Sequence, residues 1–419
     1  METIKLQEGV VLKLIPTDQF KTNLISVYFK RPICREEVTM NSLLPYVMRS
    51  GTKSYPDETS IAKKLQDLYG AFLGANVSKK GEIQIFGFQL AFINEKYVEE
   101  DLFKEVLSLL KEVLFEPYLE DGYFSDLVLS IEKEVLREAI LARINDKSSY
   151  ARERLLEEMC SDELYGVAEE GYIEDLDEID PKRLYKHYKE MIRTSQIEIH
   201  LQGEMDREKV LSLLKKEFVF PRGERVEISV PDLSFSPSKV KEVTEEMDIE
   251  QAKLVLGYRT HRSLMTEDCT DLLLYASVLG FDSHSKLFRI VREKHSLCYY
   301  IGAGLESLKG LMLIQTGIEA ANKDKVIELI EALQGEMREG NISQKELSEA
   351  KKMLINDLKS VKDNVFSLAT FHFAQSFRFE NRTFEQMIEA IEKVGIEDIQ
   401  RVARSVELDS IFFLKGREK

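Results

Sequence analysis

The chain has 419 residues, too many for one ordinary core, so two or more domains are expected. Hydrophobic residues at 43% and charged residues at 32% describe a globular protein rather than a disordered one, and a net charge of −16 argues against a nucleic-acid partner. Cys34, Cys160, Cys269 and Cys298 are scattered, no basic-then-apolar leader opens the chain, and no apolar run nears the roughly 18 residues of a membrane helix. A cytoplasmic protein with reduced thiols and no membrane attachment is the expectation.

In chain order, alternation over Asn23-Leu24-Ile25-Ser26-Val27-Tyr28-Phe29 predicts a strand, and Ser78-Lys79-Lys80-Gly81 predicts a hairpin into the strand Glu82–Phe86. Val98, Leu102, Val106, Leu109 and Val113 predict a helix. A second, longer helical run is expected from about Asp121 past Cys160. The segment Gln196–Gly203 predicts a closing strand. Residues 219–238, with Pro221, Pro231 and Pro237, lack periodicity and read as an extended connection.

The same plan then returns. Ala252–Tyr258 predicts a strand, Ser307-Leu308-Lys309-Gly310 a hairpin into Leu311–Gln315, and Ile327, Ile330 and Leu333 a helix. Ser343 with Glu346 marks a capping box opening a long helix through Leu347, Ala350, Leu354, Leu358, Val361 and Val365, and Ser410–Gly416 predicts a last strand. The expected fold class is α+β, an antiparallel sheet covered by long helices, present twice: residues 1–220, a linker 221–238, and residues 239–419.

The six histidines are His187, His200, His261, His284, His295 and His372; none lies in the first 186 residues and no pair has i, i+4 spacing. His295 and Cys298, three apart, read as a surface histidine beside a small buried thiol rather than as two ligands.

One segment, Ser42-Leu43-Leu44-Pro45-Tyr46-Val47-Met48-Arg49-Ser50-Gly51-Thr52 with Pro56 nearby, resembles the signature of the insulinase/pitrilysin-type zinc metallopeptidases, the inverted zincins. That family writes His-x-x-Glu-His, four residues, then Gly-Thr. The resemblance places the two metal-binding histidines on Ser42 and Tyr46 and the general-base glutamate on Pro45. A hydroxyl and a neutral phenol are poor zinc ligands, and proline cannot take a proton from water. The family's third ligand, a glutamate on the long first-half helix, falls near Glu138 or Ala139 of a stretch that also holds Glu132 and Glu134. No metal ligand, catalytic residue or cofactor is therefore expected. The chain resembles a zinc-less bacterial member of that family.

A second resemblance lies at Gly280-Phe281-Asp282-Ser283-His284-Ser285-Lys286-Leu287-Phe288, followed by Arg292-Glu293-Lys294 and Tyr299. Family members have here an arginine and a tyrosine seven residues apart that bind the substrate backbone, which implies substrate-binding roles for Arg292 and Tyr299. Guanidinium and phenol are suitable donors to a peptide carbonyl or developing oxyanion. Only Gly280 remains of a usually glycine-rich turn. The family's chamber needs four such domains. The resemblance thus implies a subunit that pairs with a zinc-bearing homologue or with itself and contacts a peptide substrate. The alternative is a homodimeric peptide-binding or scaffold protein without a proteolytic role.

Overall fold

Alternation of apolar side chains builds the first sheet: Val10, Leu12 and Leu14, Ile25, Val27 and Phe29, and Ile197, Ile199 and Leu201 all point into one buried core. The computed structural model, which describes residues 1–98 and 101–417, runs these strands as β1 (Glu2–Gln7), β2 (Val10–Pro16), β3 (Thr22–Pro32), β4 (Phe72–Lys80), β5 (Ile83–Ile93) and β6 (Gln196–Gly203). Their order is β1-β2-β6-β3-β5-β4, antiparallel except for β2 beside β6. Helices Val38–Arg49, Leu102–Phe115 and Pro181–Thr194 bury their apolar faces against it.

The second sheet holds β7 (Lys241–Met247), β8 (Ala252–Arg259), β9 (Cys298–Glu306), β10 (Leu311–Ile318) and β11 (Glu407–Gly416) in the order β7-β11-β8-β10-β9. This repeats β2-β6-β3-β5-β4 strand for strand, including one parallel pair, β7 beside β11. Helices Lys323–Glu339, Gln344–Ser360 and Ile396–Ala403 cover it. The α+β duplication is as expected; the parallel pair is an addition that alternation alone does not encode.

Both long helical runs are shorter than their periodicity suggests. The first stops at Ala142 and restarts as Lys147–Met159, because Asp146 turns its carboxylate onto the amides of Ser148 and Ser149 at 2.9 and 3.2 Å. The second, opened by the Ser343/Glu346 capping box, stops at Ser360. Asn364 Oδ1 then accepts from the Phe366 and Ser367 amides at 2.8 and 3.1 Å to open Val365–Ala374. Short polar side chains that satisfy orphan amides start helices and so break a continuous one.

These breaks matter because the units are not contiguous stretches of sequence. One comprises residues 1–141, 167–229 and 364–370; the other comprises 142–166, 230–363 and 371–419. Ala151, Leu155, Leu156, Met159 and Tyr165 pack on Val255, Leu311, Leu313, Phe412 and Leu414, the face of the second sheet turned away from its own helices. Reciprocally, Val365 and Ala369 pack on Leu24 and Ala91 of the first sheet, where Gln202 Nε2 donates to Val365 O at 2.8 Å. Residues 218–240 form neither helix nor strand. Arg222 holds their start by donating to the carbonyls of Glu8, Ile192 and Ser195 at 3.0, 2.8 and 2.6 Å.

Arg259 of β8 fixes segment 142–166 to the second sheet. It donates to Glu163 Oε1 at 2.6 Å, to Asp409 Oδ2 at 2.8 Å and to Met159 O at 3.1 Å, while Lys309 Nζ lies 2.6 Å from Glu163. All four charged side chains are largely buried. Removing one cation from such a group strands carboxylates in low dielectric. Arg259→Met is therefore expected to lower unfolding stability by about 3–5 kcal/mol, measured as a shift of the urea midpoint. An unchanged midpoint would show that the segment is held by its apolar packing and its other polar contacts, such as Arg154 to Glu245 at 2.8 Å.

Candidate functional site

The helix Val38–Arg49 presents Leu43, Leu44, Val47 and Met48 to the core and carries Ser42, Pro45 and Tyr46 on the same two turns. Pro45 lies inside the helix, where it removes the amide that would reach Asn41 O. The helix nonetheless continues to Arg49, and Ser50 N closes onto Tyr46 O at 3.1 Å. The resemblance puts the first metal histidine at Ser42. There the Ser42 hydroxyl lies 3.0 Å from Val38 O and 3.2 Å from Glu169 O.

Around it runs a buried chain of amides. Asn41 Oδ1 accepts from His187 Nε2 at 2.7 Å, and Asn41 Nδ2 donates to Gln84 Oε1 at 2.9 Å. Gln84 Nε2 in turn donates to Glu169 O at 3.0 Å and Val38 O at 3.2 Å. Asn41 and Gln84 are fully buried. The directions of donation agree along the whole relay, with a neutral imidazole at its head. Burial pushes the His187 imidazole down to about 4.

The Tyr46 phenol is half-buried and its pKa is raised, mainly by desolvation, so it stays protonated. Glu138 and Ala139 are exposed; the glutamate that turns toward the motif helix is Glu132, which is buried and accepts from Ser50 Oγ at 2.9 Å. Glu132 is also among the charges felt at Tyr46, together with Glu169 and Glu170 of the loop after Val167. Burial raises the Glu169 carboxyl. This donor set does not fit zinc. Among the described residues no group of three or more His, Cys, Asp or Glu side chains could hold a metal ion. A hydroxyl among carbonyls, a proline and a protonated phenol supply neither imidazole ligands nor a general base.

Sequence reasoning missed Asn41, Gln84 and Glu169, and it named His187 and Glu132 without giving either a part here. A polar residue at a core-facing position, such as Gln84 between Ile83 and Ile85 or His187 beside Leu184 and Tyr188, was the available signal.

Arg292 and Tyr299 belong to the second unit. Arg292 lies on the turn of helix Phe288–Lys294, exposed, with its guanidinium carbon 4.4 Å from the Phe288 ring centre. Among the described residues it has no carboxylate partner. Tyr299 is 64% exposed on β9, the edge strand of the second sheet. Gly280 sits where a Cβ would come within 2.8 Å of Ala303 N, a close approach that requires glycine. His295 is exposed, while Cys298 is half-buried with its thiol pKa raised by burial.

A sheet covered by helices, present twice, with an emptied metal motif on the first motif helix, defines the fold of a metallopeptidase without its metal. Comparison with known proteins agrees. Residues 178–354 match the Peptidase M16 inactive domain. The chain is 34% identical over 416 residues to the probable inactive metalloprotease YmfF of Bacillus subtilis (strain 168), covering 98% of this chain and 96% of that protein. A conserved protein from Enterococcus faecalis V583 superposes with a TM-score of 0.93 at 29% identity, covering 100% and 99% of the two chains. The peptidase M16 inactive domain from Pseudomonas fluorescens shares the fold, with a TM-score of 0.82 at 17% identity over 100% and 98%. The chain belongs to the peptidase M16 family, the insulinase/pitrilysin-type metallopeptidases, as an inactive, zinc-less homologue.

The relay has a pH signature. The folded chain holds His187 neutral down to about 4, whereas the unfolded chain protonates it near 6.5. Unfolding therefore takes up a proton below about pH 6.5, and stability falls as pH drops toward 4. His187→Gln keeps a donor to Asn41 but cannot titrate. Between pH 7 and 4.5 the wild type should lose about 2.5 kcal/mol of stability relative to that variant. Urea midpoints of both proteins across that range measure it; a pH-independent difference would mean His187 is not held neutral.

Proposed function

We propose that this chain is a non-catalytic subunit in the cytoplasm that pairs with a zinc-bearing M16 homologue, or with itself, and contributes Arg292 and Tyr299 to the binding of a peptide substrate. The observation that carries the reading is an asymmetry: the metal position is filled by an amide relay, while Arg292 and Tyr299 remain exposed and uncommitted. A guanidinium without a carboxylate partner and an exposed edge-strand phenol are suitable donors to a peptide backbone.

A partner surface has support in the helix Asp126–Ala142. Leu127, Ile131 and Val135, at i, i+4 spacing, are 68%, 52% and 55% exposed, an apolar stripe of the kind that marks protein contacts. The four cysteines form no disulfide, in keeping with a reducing compartment. No helix of the described residues is long and apolar enough to cross a membrane.

The test mixes this protein with a zinc-bearing M16 homologue from the same cell and follows co-purification and peptide hydrolysis. Arg292→Ala and Tyr299→Phe should each reduce the activity of the mixture, by roughly 10-fold or more if they contact the reacting carbonyl, without disturbing the complex. Unchanged hydrolysis by both variants removes the substrate-contact role. A stable homodimer that ignores every homologue replaces the pairing with the scaffold reading.

A further inference from the structure

The second unit contains a cavity of about 210 Å³ that belongs to neither motif. Its walls are mainly apolar, with Leu272, Leu273, Leu305, Met387 and Ile391, interrupted by the hydroxyl residues Ser263, Thr270 and Ser307, and it has one cationic side chain, Arg378. Arg378 lies just after the helix Val365–Ala374 and is mostly buried. Its Nε is shut off from solvent and has no hydrogen-bond partner. Its Nη1 points at a thiol, Cys269 Sγ, at 3.7 Å. Among the described residues no carboxylate pairs with it. The acidic groups close in sequence to Cys269 and Arg378 are engaged elsewhere: Asp268 with Arg262 at 2.5 Å, Asp271 with Arg401 at 2.8 Å, and Glu380 with Arg382 at 3.4 Å.

Such a guanidinium is a rare arrangement. A charge taken out of water without a counter-ion is strongly disfavoured, so buried arginines are almost always paired. An apolar cavity beside the unsatisfied fork supplies the room for the missing anion. We infer that this cavity binds a small monocarboxylate with a compact apolar tail, its carboxylate on Arg378 and its tail among Leu272, Leu273 and Ile391. A planar carboxylate matches the guanidinium fork, and a single cation does not balance a dianionic phosphate. The volume suits a tail of about six carbons, since a cavity of about 150 Å³ accepts benzene. A free short-chain acid and the C-terminal residue of a peptide present the same chemistry.

Cys269 provides the readout, because it is partly exposed, lines the cavity and lies against the guanidinium. The full-length protein is treated with iodoacetamide, and alkylation of Cys269 is followed by peptide mass mapping against Cys34 as internal reference. Millimolar hexanoate should slow Cys269 alkylation roughly 10-fold at saturation, whereas hexan-1-ol and hexylamine should not. A tripeptide ending in leucine is tested with a free and with an amidated terminus. Protection by the free-ended peptide assigns peptide termini as ligands, and protection by hexanoate alone assigns free acids. Arg378→Gln should abolish protection. Should that variant fail to fold, Leu273→Trp fills the tail space while keeping the guanidinium and should also abolish it. The inference is overturned if neither carboxylate protects the wild type, if hexan-1-ol protects equally, or if a folded Arg378→Gln protein is still protected.

Discussion

The salt-bridged group around Arg259 is the constraint on which the second unit rests. One guanidinium ties β8 to Asp409 of β11 and to Glu163, a residue of segment 142–166. Lys309 balances the same glutamate. Without these contacts the helix Lys147–Met159 would keep its apolar face and its own polar contacts, such as Arg154 Nε and Tyr150 Oη to Glu245, each at 2.8 Å, but Glu163 and the Met159 carbonyl would lose their anchor on β8. The first unit solves the matching problem with less charge, through Gln202 and the carbonyl of Val365. Each sheet thus receives a short piece of chain that is distant in sequence, and a duplicated domain becomes a molecule whose two units are each incomplete as continuous segments.

How much of this could be read from the residues depends on whether the signal is local. Strands β3, β5, β6, β8, β10 and β11 announce themselves by alternation, and the Ser343/Glu346 box opens its helix where the pattern says. Asp146 and Asn364 do not announce themselves. Each sits in a periodic apolar run as one more polar residue, and only the fold reveals that its side chain caps a new helix. The third-ligand position shows the same limit. Glu132 and Glu138 are six residues apart, which at about 100° per residue puts them on different faces of one helix. The resemblance points to Glu138 or Ala139, both exposed, whereas the buried glutamate facing the motif helix is Glu132.

The candidate site was half legible. Absence of histidine from the motif is a fact of sequence, and the loss of metal chemistry follows from donor chemistry alone. What replaced it is not local. Asn41, Gln84, His187 and Glu169 come from a helix, a strand, a second helix and a loop. Their common rule is that buried polar atoms must be partnered, and that rule acts only once the chain is folded.

That replacement bears on whether the lost activity is recoverable. An imidazole introduced at position 42 would enter space occupied by the Gln84 amide and the Glu169 carbonyl, each already bonded to something else. Introducing the family's ligands one at a time would first break the lattice of amides and only later supply a metal site. Regaining hydrolysis would thus require rebuilding the hydrogen bonds of Gln84 and the Glu169 carbonyl as well as supplying the missing ligands.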